Sequence, residues 1–341
     1  MRVTLPSAPD ALDAAWLEDA LRGGPALPAA RVRRISTEII GVGFGLDGTS
    51  ARVTLDGDGV PATLVVKWCS AENASREERF YRQVAPRLEL RLASLLGARV
   101  DAKSARGVLV LSDVAPARQG DTVVGATEAE SDALTDLMAR LHAPFWGGSG
   151  LPELAPIPRY AGDGPGQAAR IAEVLPRFLA EWAGRLPPEA LALAAEFPER
   201  VSAAIGWLAQ SPPTLVHADL HLDNVLFLED GTPVVLDWPS ACRGPAALDF
   251  ARLLVEGMTS AARRARQERL MRRYLDALAA RGVHCELERM RVDVARVATL
   301  LYGAAVRWAA GPNAIGPDVP RVALLVESLV RKGADAALEL S

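Results

Sequence analysis

Between residues 215 and 227 the chain reads LVHADLHLDNVLF, with two histidines, two aspartates and an asparagine inside eight positions. Two chemistries could use such a set. One is metal-assisted hydrolysis: His217 and His221 are four apart, the spacing of paired ligands on a helix. That site needs further ligands. The remaining histidines, His142 and His284, stand in no ligand cluster, and there is no H-E-x-x-H pattern. The other chemistry is phosphoryl transfer. It asks for a carboxylate to meet the attacking hydroxyl. It also asks for an amide oxygen and a second carboxylate to hold Mg²⁺, a hard cation that takes oxygen ligands and keeps several waters. Asp219, Asn224 and Asp237 offer those groups in that order.

The spacing supports the second reading. His217, Asp219 and Asn224 match the H-R-D-L-x-x-x-N pattern of protein kinases, and Asp237 stands where their metal-binding aspartate follows. Asn224 just precedes a strand-like NVLFL and Asp237 ends a strand-like PVVLD. A tight hairpin at Glu229, Asp230 and Gly231 would join the two. Far upstream, Lys67 lies in PATLVVKWC, a strand otherwise built for burial, where a lone ammonium needs a partner. The next helix offers Glu77 and Glu78. Gly41, Gly43 and Gly45 lie between two strands ahead of Lys67, and glycines let backbone N–H groups approach phosphates closely. VLVLSDV, residues 108–114, reads as the strand entering a hinge, with Ser112 and Val114 supplying the backbone that pairs with a nucleotide base.

These stretches together resemble the aminoglycoside phosphotransferase and choline-kinase-like superfamily of small-molecule kinases. The likeness rests on VVKW, REERFYRQVAPRL, MARLHAPFWG, LVHADLHLDNVLF and VVLDWPSACRGPAALDFARLL. REERFYR, HAPFWG and LDNVLF are also similar to the ecdysteroid-kinase-like branch. It spans about residues 37–256 and is most specific over 215–253. It implies a bilobal protein-kinase-like α+β fold and an O-phosphotransferase using ATP or GTP with Mg²⁺. Asp219 would be the catalytic base, and Asn224 and Asp237 the metal ligands. Lys67 would meet the phosphates, with Glu77 as its partner, since Glu77 holds the Glu place in the family's R-E-x-R-F-Y pattern. The chain departs from protein kinases in two places. Trp238-Pro239 follows the metal aspartate where protein kinases have Phe-Gly, and Ala218 replaces the arginine that reads activation-loop phosphorylation.

The elements that must position these groups divide the chain by texture. Residues 10–22 read as a short amphipathic helix. From 31 to 112, short β-branched runs bounded by Gly, Asp or Pro predict strands, interrupted by one helix over about 73–89. Beyond 113 the pattern is helical. Thr127 and Glu130 form a capping box that starts a helix running to about His142. A Gly- and Pro-rich loop follows at 143–166, then helices at 167–184 and 189–209, and three or four more over 246–338 with breaks near 259, 283 and 311–317. The expected division is a nucleotide-binding lobe over 1–115 and a catalytic and substrate-binding lobe over 116–341. Asp249, in LDFARLL, is expected to brace the 217–224 loop. Trp146, Trp182, Trp207 and Trp308 are read as core residues.

Composition narrows the partners. The chain has 341 residues, 50% of them hydrophobic, and a net charge of -4. That balance leaves no basic footprint for nucleic acid. Three cysteines without C-x-x-C spacing suit a reducing compartment. The start has one arginine and no apolar run, unlike a signal peptide, and no stretch is apolar enough for a membrane span. A cytoplasmic protein is the expectation. From residue 251 onward 15 Arg and Lys stand against 10 Asp and Glu, which argues against a polycationic acceptor. A neutral or anionic hydroxylated compound is favoured: a nucleoside, a macrolide or another antibiotic-like natural product. Aminoglycoside phosphorylation is the alternative. A non-catalytic kinase-fold binding protein is a third reading, opposed by the joint presence of Lys67, Asp219, Asn224 and Asp237.

Overall fold

Strand Thr63–Ser70 shows how the sequence sorts itself. Leu64 and Val66 are fully buried and Trp68 nearly so, all facing one side; Val65, Lys67 and Cys69 alternate to the other. The computed structural model describes residues 4–24, 26–41, 48–151, 164–311 and 320–340. Within them the chain forms two compact units, one of residues up to 118 with 234–240, the other of 119–233 with 241 onward.

The first unit is built on an antiparallel sheet of β1 (Arg31–Ile40), β2 (Thr49–Asp58), β3 (Thr63–Ser70), β4 (Leu95–Asp101) and β5 (Arg106–Ser112). Its order is β1-β2-β3-β5-β4, so β3 is central and Lys67 lies opposite Ser50 on one side and Leu109 on the other. One face packs on α1 (Ala14–Arg22), with Trp16, Leu17 and Leu21 against Val53, Val66 and Trp68. This helix begins later than its sequence pattern implied. Pro9–Ala11 makes a separate 3-10 turn, and Asp13 caps the α-helix by accepting the Trp16 N–H at 2.7 Å. Helix α2 (Ala71–Arg79) is capped by Ser70 and continues as a wider π turn over Phe80–Val84, which buries Phe80 and Tyr81 together. Gly107 of β5 permits the close approach of α2, since a Cβ there would lie 2.2 Å from that of Ala74.

The second unit is helical: α3 (Glu128–His142), α4 (Gly164–Trp182), α5 (Pro188–Ala195), α6 (Phe197–Leu208), α7 (Ala247–Val255), α8 (Ser260–Ala279), α9 (Leu287–Ala310) and α10 (Pro320–Leu340). The Thr127 and Glu130 capping box starts α3 as expected. The single helix expected over 189–209 is two, because Pro198 in the first turn of α6 has no N–H with which to continue α5. Phe178, Trp182, Phe197, Tyr302 and Val330 form its core. Trp207 and Trp308 do not join that core and are 37% and 40% exposed. Each lies near a helix end. Strand Pro213–Val216 pairs antiparallel with Cys242–Pro245 and delivers the chain to His217. Strand Val225–Leu228 ends in a turn closed by Leu228 N–H to Thr232 O, with Gly231 at φ +81°.

Candidate active site

In the first unit, alternation along β3 aims Lys67 at α2. Its Nζ lies 2.5 Å from Glu77 Oε2 and 2.5 Å from Asp237 Oδ1. Glu77 is wholly buried, whereas Glu78 pairs with Arg82 on the outer face of the helix. Burial opposes the charge on Lys67, but Glu77 and Asp237 outweigh it and raise its pKa above the ordinary lysine range. Burial raises that of Glu77, with Lys67 pulling against it. Asp237 adopts φ +65°, a left-handed conformation rare outside glycine that tends to be kept where function requires it. Its neighbour fixes it there. The Trp238 N–H donates to Glu77 Oε1 at 3.4 Å, its indole N–H donates to Val235 O, and its ring stacks on Phe80 with centroids 3.9 Å apart.

The other residues named for this unit fall in different places. Gly41 has φ +70° and open space where a Cβ would stand. Gly43 and Gly45 lie outside the described residues. Ser112 ends β5 with its N–H bound to Ser94 O and its hydroxyl accepting from Ser94 N–H. Asp113 then ties down the segment, pairing with Arg52 at 2.7 Å and accepting the Ala115 N–H. Val114, half-buried, stands within it.

In the second unit, the 217–224 loop is held from below by α7. Asp249, in the first turn of that helix and fully buried, accepts N–H bonds from His217 at 2.7 Å and Ala218 at 2.8 Å. The brace expected of it is therefore present. His142 holds Asp249 in turn at 3.2 Å and meets Tyr274 Oη at 2.7 Å. Burial acts to raise the Asp249 pKa, but His142 and His217 bring it below the usual range. Ala218 takes φ +63°, which turns the chain so that Asp219 projects from the loop. His217 Nδ1 accepts the Asp219 N–H at 3.2 Å, a structural role.

The Asp219 carboxylate stands between a guanidinium and an imidazole. Arg252 Nη2 is 3.3 Å from Oδ1, and His221 Nε2 is 3.6 Å from Oδ2. Burial works to raise its pKa, yet Arg252, His221 and His217 hold it well below the ordinary carboxylate range. The same carboxylate raises the pKa of His221 against the effect of burial. Arg252 is anchored on its other side by Glu256 at 2.7 Å. Asn224 donates from Nδ2 to the Asp219 carbonyl at 3.0 Å, so Asp219 and Asn224 are locked into one loop. Helix α10 secures the loop further on. Arg321 makes two 3.0 Å bonds to the buried Asp223, and Lys332 Nζ donates to Thr122 O at 2.6 Å and Glu256 O at 3.0 Å. Sequence reasoning passed over Arg252, Glu256, Arg321 and Lys332. For the first two a signal existed: Asp249, Arg252 and Glu256 are spaced i, i+3 and i+7, one polar stripe on an otherwise apolar helix.

Residues 41–289 match the profile of the phosphotransferase enzyme family, APH. No curated protein matches the sequence closely enough to serve as a relative. Among solved structures, the chain is similar to the wild-type aminoglycoside 2'-phosphotransferase-IIIa in complex with GDP, at 13% identity and TM-score 0.56 over 95% of this chain and 99% of that one. It is similar to the gentamicin complex of APH(2″)-IIa at 15% identity and TM-score 0.55, covering 96% and 98%. The GDP and kanamycin complex of APH(2″)-IIIa follows at 14% identity and TM-score 0.55, covering 92% and 97%. At such identities the likeness establishes the fold: an α+β, kinase-like arrangement with an antiparallel sheet toward the N-terminus and helices toward the C-terminus.

Proposed function

Because the chain belongs to the phosphotransferase enzyme family, and so is a small-molecule phosphotransferase, we propose that it transfers the γ-phosphoryl group of ATP or GTP, with Mg²⁺, to a hydroxyl of a neutral or anionic small molecule. The acceptor class is an antibiotic or related natural product, such as a nucleoside or macrolide, and its phosphorylation would confer resistance. The observation that carries the reading is the Lys67 ammonium held by both Glu77 and Asp237. Glu77 is fixed by burial and by Trp238, so Lys67 stays aimed while Asp237 can turn its carboxylate from Lys67 to a metal. Gly41, Gly43 and Gly45 would approach the phosphates, and the backbone of Ser112 and Val114 the base.

The metal ligands offered are chemically suited to Mg²⁺. Asn224 uses its Nδ2 on the Asp219 carbonyl, which presents its amide oxygen to a cation, and Asp237 adds a carboxylate. The bound ion would offset charge on the transferring phosphates. Asp219, kept ionised beside Arg252 and His221, accepts a hydrogen bond from the acceptor hydroxyl and orients its oxygen. As that oxygen bonds to the γ-phosphorus, the bridging bond to the β-phosphate breaks and its electron pair leaves with the nucleoside diphosphate. The hydroxyl proton passes to Asp219. A carboxylate with so low a proton affinity takes that proton late, which suits a loose transition state. Residues 1–115 would thus handle the nucleotide, and 116–341 the catalysis and acceptor.

Part of the basic excess beyond residue 251 is already held by acidic partners. Arg263 and Arg264 pair with Asp335 and Glu339, while Arg269 and Arg273 pair with Asp132 and Asp136. Support for a non-polycationic acceptor comes from one member of that set, Arg252, whose guanidinium a polycation would meet as a like charge beside Asp219. The test is a panel of nucleosides, macrolides, sugar alcohols and aminoglycosides incubated with Mg-ATP or Mg-GTP and scored for phosphate gain by mass spectrometry. The expected result is phosphorylation of a neutral or anionic compound and negligible turnover of kanamycin. Efficient kanamycin turnover would overturn the acceptor class. Nucleotide binding with no transfer to any compound, nor to water, would overturn catalysis.

A further inference from the structure

Arg252 contacts the Asp219 side chain directly. It leaves α7 one turn after Asp249, on the same side of the helix. Asp249 grips the backbone of the 217–224 loop, and Arg252 grips its carboxylate. One guanidinium nitrogen, Nη1, is held by Glu256, and the other, Nη2, reaches Asp219 Oδ1. Glu256 is nine-tenths buried, and its own carbonyl is held by the Lys332 ammonium. The arrangement is a rail: α10 fixes Glu256, Glu256 fixes the guanidinium plane, and the guanidinium fixes one oxygen of Asp219.

A carboxylate on a short side chain can still rotate about its last bond, and its two oxygens are then interchangeable. A base that must meet one hydroxyl in line with a phosphorus loses rate when it turns, since a misplacement of about 1 Å can cost about 10²-fold. Resting on the assignment of Asp219 as the base, we propose that Arg252 is a positioning residue, holding Oδ1 so that Oδ2, with only the more distant His221 Nε2 at 3.6 Å beside it, is the oxygen that receives the acceptor proton. Glu256 serves the same end at one remove, by keeping Arg252 from swinging into solvent. A purely structural ion pair would not need this geometry. Asp219 is already held through its backbone by His217 and Asn224, and the helix beneath it by Asp249.

A double-mutant cycle tests the assignment. Arg252→Met keeps the bulk and removes the fork; Arg252→Lys keeps the charge but cannot grip Glu256 and Asp219 together. Each is made in the parent and in Asp219→Asn. Transfer is assayed with the panel compound that gains phosphate fastest and, independently, as hydrolysis of Mg-ATP or Mg-GTP. In the parent, either change should lower kcat by roughly 10²-fold, with the KM for nucleotide within about twofold, a change of less than 0.5 kcal/mol. In Asp219→Asn the same changes should cost less than about threefold, because the group being positioned is gone. Guanidinium ion should restore part of the activity of Arg252→Ala and none of that of Asp219→Asn. Losses that multiply across the cycle, or a parent rate that Arg252→Lys leaves intact, would overturn the proposal. Should Arg252→Met fail to fold, Arg252→Lys carries the cycle alone. If Asp219→Asn itself turns over normally, it is the assignment of the base that fails.

Discussion

His142 and Asp249 share a hydrogen bond of 3.2 Å, and neither side chain reaches solvent. Three helices meet in that contact, because Tyr274 of α8 holds the other nitrogen of the ring. His142→Leu would remove from Asp249 the imidazole that adds to the two backbone N–H donors of the 217–224 loop, and from Tyr274 Oη its bond to that ring. A hydrogen bond to a charged group is worth about 1.5–3 kcal/mol, and the variant should lose about that much in urea unfolding. An unchanged midpoint would show that Asp249 needs no support from α3.

Lys67→Met removes the cation from a wholly buried Glu77. Breaking a buried pair by deleting one partner costs about 3–5 kcal/mol, so the variant should melt early as well as lose nucleotide affinity. Adding Glu77→Gln to it should restore much of the stability and none of the affinity. Thermal unfolding with and without nucleotide separates the two effects. A Lys67→Met protein of parental stability would mean that Glu77 is protonated whenever Lys67 is absent.

Asp219→Asn and Asp237→Ala should fail differently. The first keeps its shape and its backbone bonds to His217 and Asn224 but loses the proton acceptor. Transfer should fall by about 10²–10⁴-fold while nucleotide affinity holds. The second removes the carboxylate that faces Lys67, so Mg-nucleotide binding should weaken together with turnover. Equilibrium binding and single-turnover rates for both variants decide the matter. Near-normal turnover by Asp219→Asn would remove it from the chemistry.

Lys332 gives stability an alkaline signature. Burial pushes its ammonium down to about 8, below the 10.5 of a free lysine, with Glu256, Asp121 and Asp223 pulling the other way. Between those values the unfolded chain binds the proton more tightly than the folded one. This residue's contribution therefore makes stability rise with pH from about 8 to about 10.5, by on the order of 3 kcal/mol. Lys332→Met should remove that slope while lowering stability near neutrality, where the carbonyls of Thr122 and Glu256 lose their donor. Unfolding free energies across this range read it directly. The same slope in parent and variant would place the titration elsewhere.

What could be read in advance follows from what spacing encodes. The 217–224 loop, the Lys67 strand and the Glu77 helix are local patterns, each carried by consecutive residues with turn signals at their borders. Glu77 could be separated from Glu78 only by the family pattern, because the two differ by one helical step and both are plausible caps on an ammonium. The structure separates them by burial and by partner: Glu77 is buried on Lys67, and Glu78 pairs with Arg82. Lys332 was illegible for a different reason. It lies in a helix whose composition explains it as surface charge, and its partner Thr122 is distant in sequence. The split between α5 and α6 could have been seen at Pro198. The exposure of Trp207 could not, since the ring lies against Arg289 and its indole N–H against Asp293, both more than eighty residues downstream.

The stack of Trp238 on Phe80 has a consequence for how the chain comes to be folded. Residues 234–240 belong to a unit that otherwise ends at 118, so its last strand of contacts arrives late in synthesis. Until then Phe80 has the edge of Tyr81 but no ring stacked on its face, and Lys67 has Glu77 but not Asp237. Closing a loop of that length carries an entropic cost before any contact rewards it, which slows the step. A fragment cut at residue 118 would contain every strand of the five-stranded sheet and still lack the aromatic face and the carboxylate that complete it. Order along the gene and order of assembly therefore differ, and the first unit is finished by residues translated more than a hundred positions after the last strand of its sheet.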